Sequence, residues 1–147
     1  MIAIVAMTAR EPAAAMARRE LACVEVIDAF LDQIETCNPG ANAMVGLRAR
    51  DDLRVEARAK DRQVAGGSPL GALAGLPLAL KDLVEAIGIR TTTGSLVLRG
   101  HVPVNEGIMA ERVRIWACRG DGKRTTRARW AAAQADESRR DTVVPSL

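Results

Sequence analysis

Apolar and polar residues recur with a helical period over much of the first 65 residues. The longest stretch places Ile27, Phe30, Leu31 and Ile34 at positions i, i+3, i+4 and i+7, with acidic residues largely on the other side. This pattern predicts a one-faced helix that ends before the turn signal at residues 38–40, Asn-Pro-Gly.

A shorter helix is predicted upstream, over about residues 9–19. Thr8 and Glu11 have the spacing of a capping box, in which the Thr8 hydroxyl accepts from the Glu11 amide and the Glu11 carboxylate accepts from the Thr8 amide. Pro12 falls in the first turn, where its missing N–H does little harm.

The elements predicted further along follow an α/β order. Residues 42–47 predict a short strand, residues 76–80 a buried apolar strand and residues 87–93 a β-branched strand. Two more helices are expected. The first is capped by Asp51 or Asp52, ends at residues 66–69 and carries the apolar residues Leu53, Val55, Ala57 and Val64. The second covers about residues 106–114 and has Ile108, Met109 and Val113 on one face.

The pattern is lost after Arg114. Residues 115–147 show no sustained period apart from a weak helix predicted over residues 129–135, and both tryptophans lie there. Charge changes at the same place, from net −2 over residues 1–111 to net +5 over residues 112–147. We therefore divide the chain into residues 1–114 and an irregular basic tail, residues 115–147.

Composition narrows the class further. Hydrophobic residues make up 48% and charged residues 27% of the chain, within the range of globular proteins, while aromatic residues make up only 2%. A core built from Ala, Val, Leu and Ile favours helices with parallel strands. The three cysteines form no CxxC pattern, and no signal peptide or membrane span is apparent, so we expect a protein of the reducing cytoplasm.

Lys81 is the residue most suggestive of chemistry, because it leaves the apolar run of residues 76–80. A lysine there is expected to lose part of its hydration. It either pairs with Asp82 or has a chemical task, and the residues alone favour the pair. Asp82 itself is expected to cap the following turn or to hold backbone amides near Lys81.

Four segments together resemble the amidase signature family, which includes the amidotransferase A subunits that act on misacylated glutaminyl tRNA. They are CVEVIDAFLDQIETCNP with the following NAMV, then PLGALAGLPLALKDL, then GIRTTTGS, and finally HVPVNEGIMAERVR. The combination of GLPLALKD with TTTGS at this spacing is specific. The resemblance covers the N-terminal portion of that family, from about residue 8 to residue 114.

The resemblance implies an α/β/α fold with a mixed sheet, of which this chain carries an incomplete part, and hydrolysis of carboxamides by a Ser/cis-Ser/Lys triad. Lys81 matches the triad lysine, whose neutral amine takes a proton through the bridging serine. Burial favours a neutral amine, and the apolar run before Lys81 is the setting that such chemistry requires. An intact member would take a small amide substrate. We expect no cofactor, no metal and no membrane partner.

The chain departs from the family after Lys81. The two triad serines would come from a Gly/Ser-rich loop well downstream, yet only Ser138 and Ser146 follow Ser95. We therefore expect this chain to be inactive alone. One hypothesis is that residues 115–147 are an out-of-frame reading of a GC-rich coding sequence.

Other candidate groups are weaker. Residues 91–95, TTTGS, are expected to support the site rather than supply a nucleophile, and Gly75 and Gly94 to permit tight backbone geometry rather than phosphate binding. The single histidine, His101, is expected at the surface.

Three functions remain open at this stage. The chain is part of an amidase, or a binding module that uses its basic tail, or a truncated product without function. For the tail, the absence of a nucleic-acid-binding motif favours a solvated segment over a nucleic-acid-binding one.

Overall fold

The computed structural model describes residues 4–68, 71–118 and 131–135. Four helices and two strands follow a short 3₁₀ turn over Ile4–Ala6. They are α1 (Arg10–Ala17), α2 (Cys23–Ala41), α3 (Arg50–Ala65), β1 (Leu78–Lys81), α4 (Ile108–Cys118) and β2 (Ala131–Ala135). The α/β class is confirmed.

The start of α1 differs in detail from the expected capping box. The Glu11 carboxylate accepts the Thr8 amide at 2.6 Å, as predicted. The Thr8 hydroxyl, however, donates to the same carboxylate at 2.8 Å, and the Glu11 amide bonds to the Thr8 carbonyl instead. These bonds lower the pKa of Glu11.

Helix α2 supplies most of the first core, as its periodicity predicted. Ile27 and Leu31 are buried, and Phe30 packs against them from a half-buried position. The helix ends later than predicted, because it continues through Pro39 to Ala41 and stops at Asn42, which has a left-handed φ of 47°.

The predicted strand over residues 42–47 is wrong. Met44 is instead held by the Asn38 side chain, which accepts its amide at 2.8 Å and donates to its carbonyl at 2.9 Å. Met44 is in an isolated β-bridge, and no continuous strand forms over residues 42–47.

Helix α3 packs on α2 and begins at Arg50. Ala49 precedes it without a side-chain cap, so Asp51 and Asp52 lie in the first turn rather than at the cap. Leu53 and Ala57 are buried as predicted, whereas Val55 is 60% exposed.

Asp61 of α3 joins the two helices through the start of α2. Its carboxylate accepts the backbone amides of Cys23 and Val24 at 2.7 and 3.2 Å. The first turn of a helix leaves amides without partners, and here another helix provides the acceptor. Buried residues from α1, α2 and α3 also form one hydrophobic cluster, the first core, consisting of Met16, Cys23, Val26, Ile27, Leu31, Leu53 and Ala57.

A second, smaller core surrounds β1 and α4. Leu80, Ala86, Ile89 and Ala110 are buried in it. The predicted helix near residue 106 is confirmed as α4, although Ile108 and Met109 are exposed and Ala110 faces the core.

The sheet in the described part of the chain has two parallel strands, β1 and β2. Leu80 pairs with Gln134 and Lys81 with Ala135. The weak helix predicted over residues 129–135 is therefore wrong for Ala131–Ala135, because pairing with a strand edge outweighs the helix propensity of alanine. Residues 119–130 and 136–147, which include Trp130 and the two late serines, lie outside the described residues.

Candidate active site

Lys81 is the last residue of β1 and its side chain is exposed. The expected burial of this side chain is wrong for the described structure. Successive strand residues point to opposite faces, so Leu80 enters the second core while Ala79 and Lys81 face away from it. The buried strand predicted over residues 76–80 is observed as Leu78–Lys81, and within it only Leu80 is buried.

Of the two adjacent charged residues, Lys81 and Asp82, only Asp82 is buried. Asp82 is only 3% exposed, and its two oxygens accept the backbone amide of Thr92, at 2.7 Å, and the Thr92 hydroxyl. The expectation that Asp82 holds backbone amides near Lys81 is confirmed. These hydrogen bonds connect Thr92, ten residues later in the sequence, to the end of β1.

The segment over residues 91–95 contains one turn, over residues 92–95, and the strand predicted over residues 87–93 is wrong because none forms there. Thr93 and Gly94 have left-handed φ values of 49° and 72°. The Ser95 amide bonds to the Thr92 carbonyl at 2.8 Å, and the Ser95 hydroxyl oxygen accepts the Val97 amide at 3.3 Å. Ser95 thus takes part in a turn, in agreement with a supporting role for this segment.

Gly75 approaches the first core just ahead of β1. Its φ is +83°, and a Cβ built on it would lie 2.6 Å from the Met16 Sδ and 2.8 Å from the Cys23 Sγ. No larger residue fits there without displacing core atoms. The expectation of tight backbone geometry at Gly75 is confirmed, and at Gly94 the left-handed φ agrees with it.

The remaining candidates are the histidine and the cysteines. His101 is at the surface, as expected, with its Nε2 3.8 Å from a Glu85 carboxylate oxygen. Cys23 is a buried thiol whose pKa is raised to about 12 by burial and by its hydrogen bond with Asp61, and Cys37 is exposed. Among the described side chains, no three His, Cys, Asp or Glu residues are grouped so that they could hold a metal ion.

Two features of this region were not found from the sequence. The first is the pair of hydrogen bonds between Asp82 and Thr92, which the spacing of the two residues in the sequence does not indicate. The second, the exposure of apolar residues between Leu96 and Val104, does have a signal in the sequence, because this stretch follows neither a helical nor a strand period.

Comparisons with known proteins identify the class. A family model for amidases matches residues 25–116, and the chain belongs to this family, the amidase signature enzymes. The A subunit of the glutamyl-tRNA(Gln) amidotransferase of Acidothermus cellulolyticus is 40% identical over 111 residues, which is 76% of this chain. That match covers only 22% of the relative, and the resemblance is to the N-terminal portion.

Solved structures of amidases resemble the fold. The peptide amidase of Stenotrophomonas maltophilia matches with a TM-score of 0.72 and 26% identity, over 88% of this chain and 24% of the amidase. A bacterial aryl acylamidase of the amidase signature family matches with a TM-score of 0.69 and 25% identity, over 88% of this chain and 25% of the enzyme. None of the helices in the described part of the chain is both long and apolar enough to cross a membrane.

Proposed function

We propose that this chain forms the N-terminal part of a carboxamide hydrolase and supplies Lys81 as the base of a Ser/cis-Ser/Lys triad. The observation that carries the proposal is the position of Lys81, at the carboxyl end of a parallel strand within the region that matches the family. The carboxyl ends of parallel strands are where open α/β sheets bind their ligands.

The surroundings of Lys81 support this role. Asp82 is buried and its carboxylate accepts the Thr92 amide, so the residue next to Lys81 holds the end of β1 in place. Side chains on rigid elements are placed more accurately than side chains on loops. The Lys81 side chain is exposed, and in the proposed complete domain a serine from another part of the polypeptide would approach it there.

The 147 residues need that other part for activity. Only Ser138 and Ser146 follow Ser95, and neither lies in a Gly/Ser-rich loop. In the complete domain the sheet would be mixed, within an α/β/α fold, and the remaining polypeptide would supply both serines and the walls of a pocket for a small amide. We place the reaction in the cytoplasm, without a cofactor.

The first test uses the polypeptide alone. We expect no hydrolysis of simple carboxamides by these 147 residues, because losing a nucleophile costs on the order of 10⁶ in rate. Measured turnover that Lys81→Ala abolishes would show that the chain carries its own nucleophile.

The second test asks whether Lys81 is the base. Residues 25–116 would replace the corresponding segment of the bacterial aryl acylamidase, and the chimera would be assayed on a chromogenic acyl anilide. We expect Lys81→Ala to lower kcat by on the order of 10⁴ or more. Arg58→Ala, which removes an exposed cation on α3, serves as the matched control and should leave kcat unchanged. Equal activity of the two variants would refute the role of Lys81.

A further inference from the structure

Exposed large apolar side chains are concentrated, along the sequence, between the turn at residue 95 and the first turn of α4. Of the ten such side chains among the described residues, six lie within residues 96–109. We call them the 96–109 surface; its members are Leu96, Val97, Val102, Val104, Ile108 and Met109. Val97 is 91% and Val104 83% exposed.

This surface carries few charges. Only Arg99 and Glu106 are formally charged within residues 96–109, and Glu106 is largely buried against Arg114, with an N···O distance of 2.7 Å. A surface loop in permanent contact with water usually carries more polar side chains. Exposed apolar groups with few charges among them are typical of a contact surface.

The backbone beneath the 96–109 surface is held in place. The Leu98 amide bonds to the Ser95 carbonyl, the His101 amide to the Leu98 carbonyl and the Thr91 amide to the His101 carbonyl, all at 2.8–3.1 Å. At the other end, the Gly107 amide bonds to the Glu85 carbonyl at 2.9 Å. An ordered loop loses little entropy on binding, so its apolar side chains are already arranged for a partner.

We propose that the 96–109 surface is the docking surface for the remainder of an amidase domain, whichever polypeptide carries that remainder. This rests on the proposed function, in which the chain provides only the N-terminal part of the site. The matching relative is 22% covered by this chain, so most of its domain is available to cover the surface.

The location of the surface connects it to the candidate site. Leu96 comes four residues after Thr92, which Asp82 holds at the end of β1 beside Lys81. The 96–109 surface therefore begins next to the segment that Asp82 anchors.

Binding is the direct test. The full 147-residue chain would be titrated calorimetrically with the part of the Acidothermus cellulolyticus relative that lies C-terminal to its matching region. We expect binding, and we expect Val97→Asp to weaken it about thirtyfold or more, because a charge would be buried at the contact. Val55→Asp is the matched control, since Val55 is also apolar and 60% exposed but lies on α3. It should bind like the unchanged chain.

A covalent version covers the case in which the separate piece does not fold. This chain would replace the matching region in the full-length relative, and thermal unfolding would be followed by circular dichroism. We expect Val97→Asp to lower the Tm of this chimera while Val55→Asp does not, and we expect neither to change the Tm of the 147-residue chain, where both sites are exposed.

Several results would overturn the proposal. The first is an equal effect of Val97→Asp and Val55→Asp on binding or on the Tm of the chimera, and the second is no effect of Val97→Asp. The third is that the chain associates with itself, loses this association on Val97→Asp, and does not bind the C-terminal part of the relative. Lys81→Ala separates this proposal from the proposed function. It should leave binding intact, so that loss of the catalytic role of Lys81 would not remove the docking surface.

Discussion

Replacing Gly75 tests how closely the segment before β1 is packed against the first core. Gly75→Ala places a Cβ 2.6 Å from the Met16 Sδ and 2.8 Å from the Cys23 Sγ. Both neighbours are only 1% exposed, so neither side chain has open space into which to turn. The substitution therefore combines a backbone cost with an overpacking cost.

The two costs can be separated. An alanine at a left-handed φ costs about 1 kcal/mol, and forcing an extra methyl into a packed core costs about 1–3 kcal/mol. We therefore expect Gly75→Ala to lower the free energy of unfolding by about 2–4 kcal/mol. Gly67→Ala is the matched control, because Gly67 has a similar φ of +75° and no atom within 4 Å of the added Cβ. It should cost only about 1 kcal/mol.

Urea unfolding followed by circular dichroism measures both values. A double substitution adds a stricter test. Cys23→Ala removes the Sγ that the new methyl would meet, so Gly75→Ala should cost less in the Cys23→Ala background than in the unchanged chain. If Gly75→Ala costs no more than Gly67→Ala, or if the cost is the same in both backgrounds, the close packing at Gly75 is refuted.

Two further predictions concern the junction of α2 and α3. Asp61→Ala removes the acceptor for the Cys23 and Val24 amides and should lower the free energy of unfolding, measured in urea, by about 1–2 kcal/mol. The control, Asp52→Ala in the exposed first turn of α3, should lower it by less than about 1 kcal/mol. Equal costs of the two substitutions would argue against a cap between the helices. The raised pKa of Cys23, about 12, keeps its thiol protonated at pH 8, so peptide mapping after iodoacetamide treatment should find Cys37 alkylated before Cys23, and Cys23 should react at a similar rate only in denaturant. Rapid alkylation of Cys23 in the folded chain would contradict its burial.

Local sequence was a good guide to the helices. The periodic positions of α2 and the turn residues after α3 predicted where these helices lie and which faces are buried, because a helix satisfies its own backbone and only its apolar stripe must meet a neighbour. The specific pairing of GLPLALKD with TTTGS also pointed to the family, which the match over residues 25–116 confirms.

Strands were less predictable, because a strand needs a partner that the local sequence does not name. Residues 42–47 and 87–93 have strand-like composition, but Met44 bonds to the Asn38 side chain, and residues 87–93 form turns and bond to Asp82 and His101. Residues 131–135, rich in alanine, pair with β1. Competition between these backbone partners is decided by tertiary contacts.

The sequence by itself determined the family, the helical faces and the choice of Lys81 as the candidate base. The tertiary structure decided the surroundings of that base, since the strand alternation turned Leu80 inward and left Lys81 exposed, while Asp82 became the buried anchor for Thr92. Which of two adjacent charged residues is buried depends on the face of the strand that meets the core, and that face is chosen by packing partners distant in the chain.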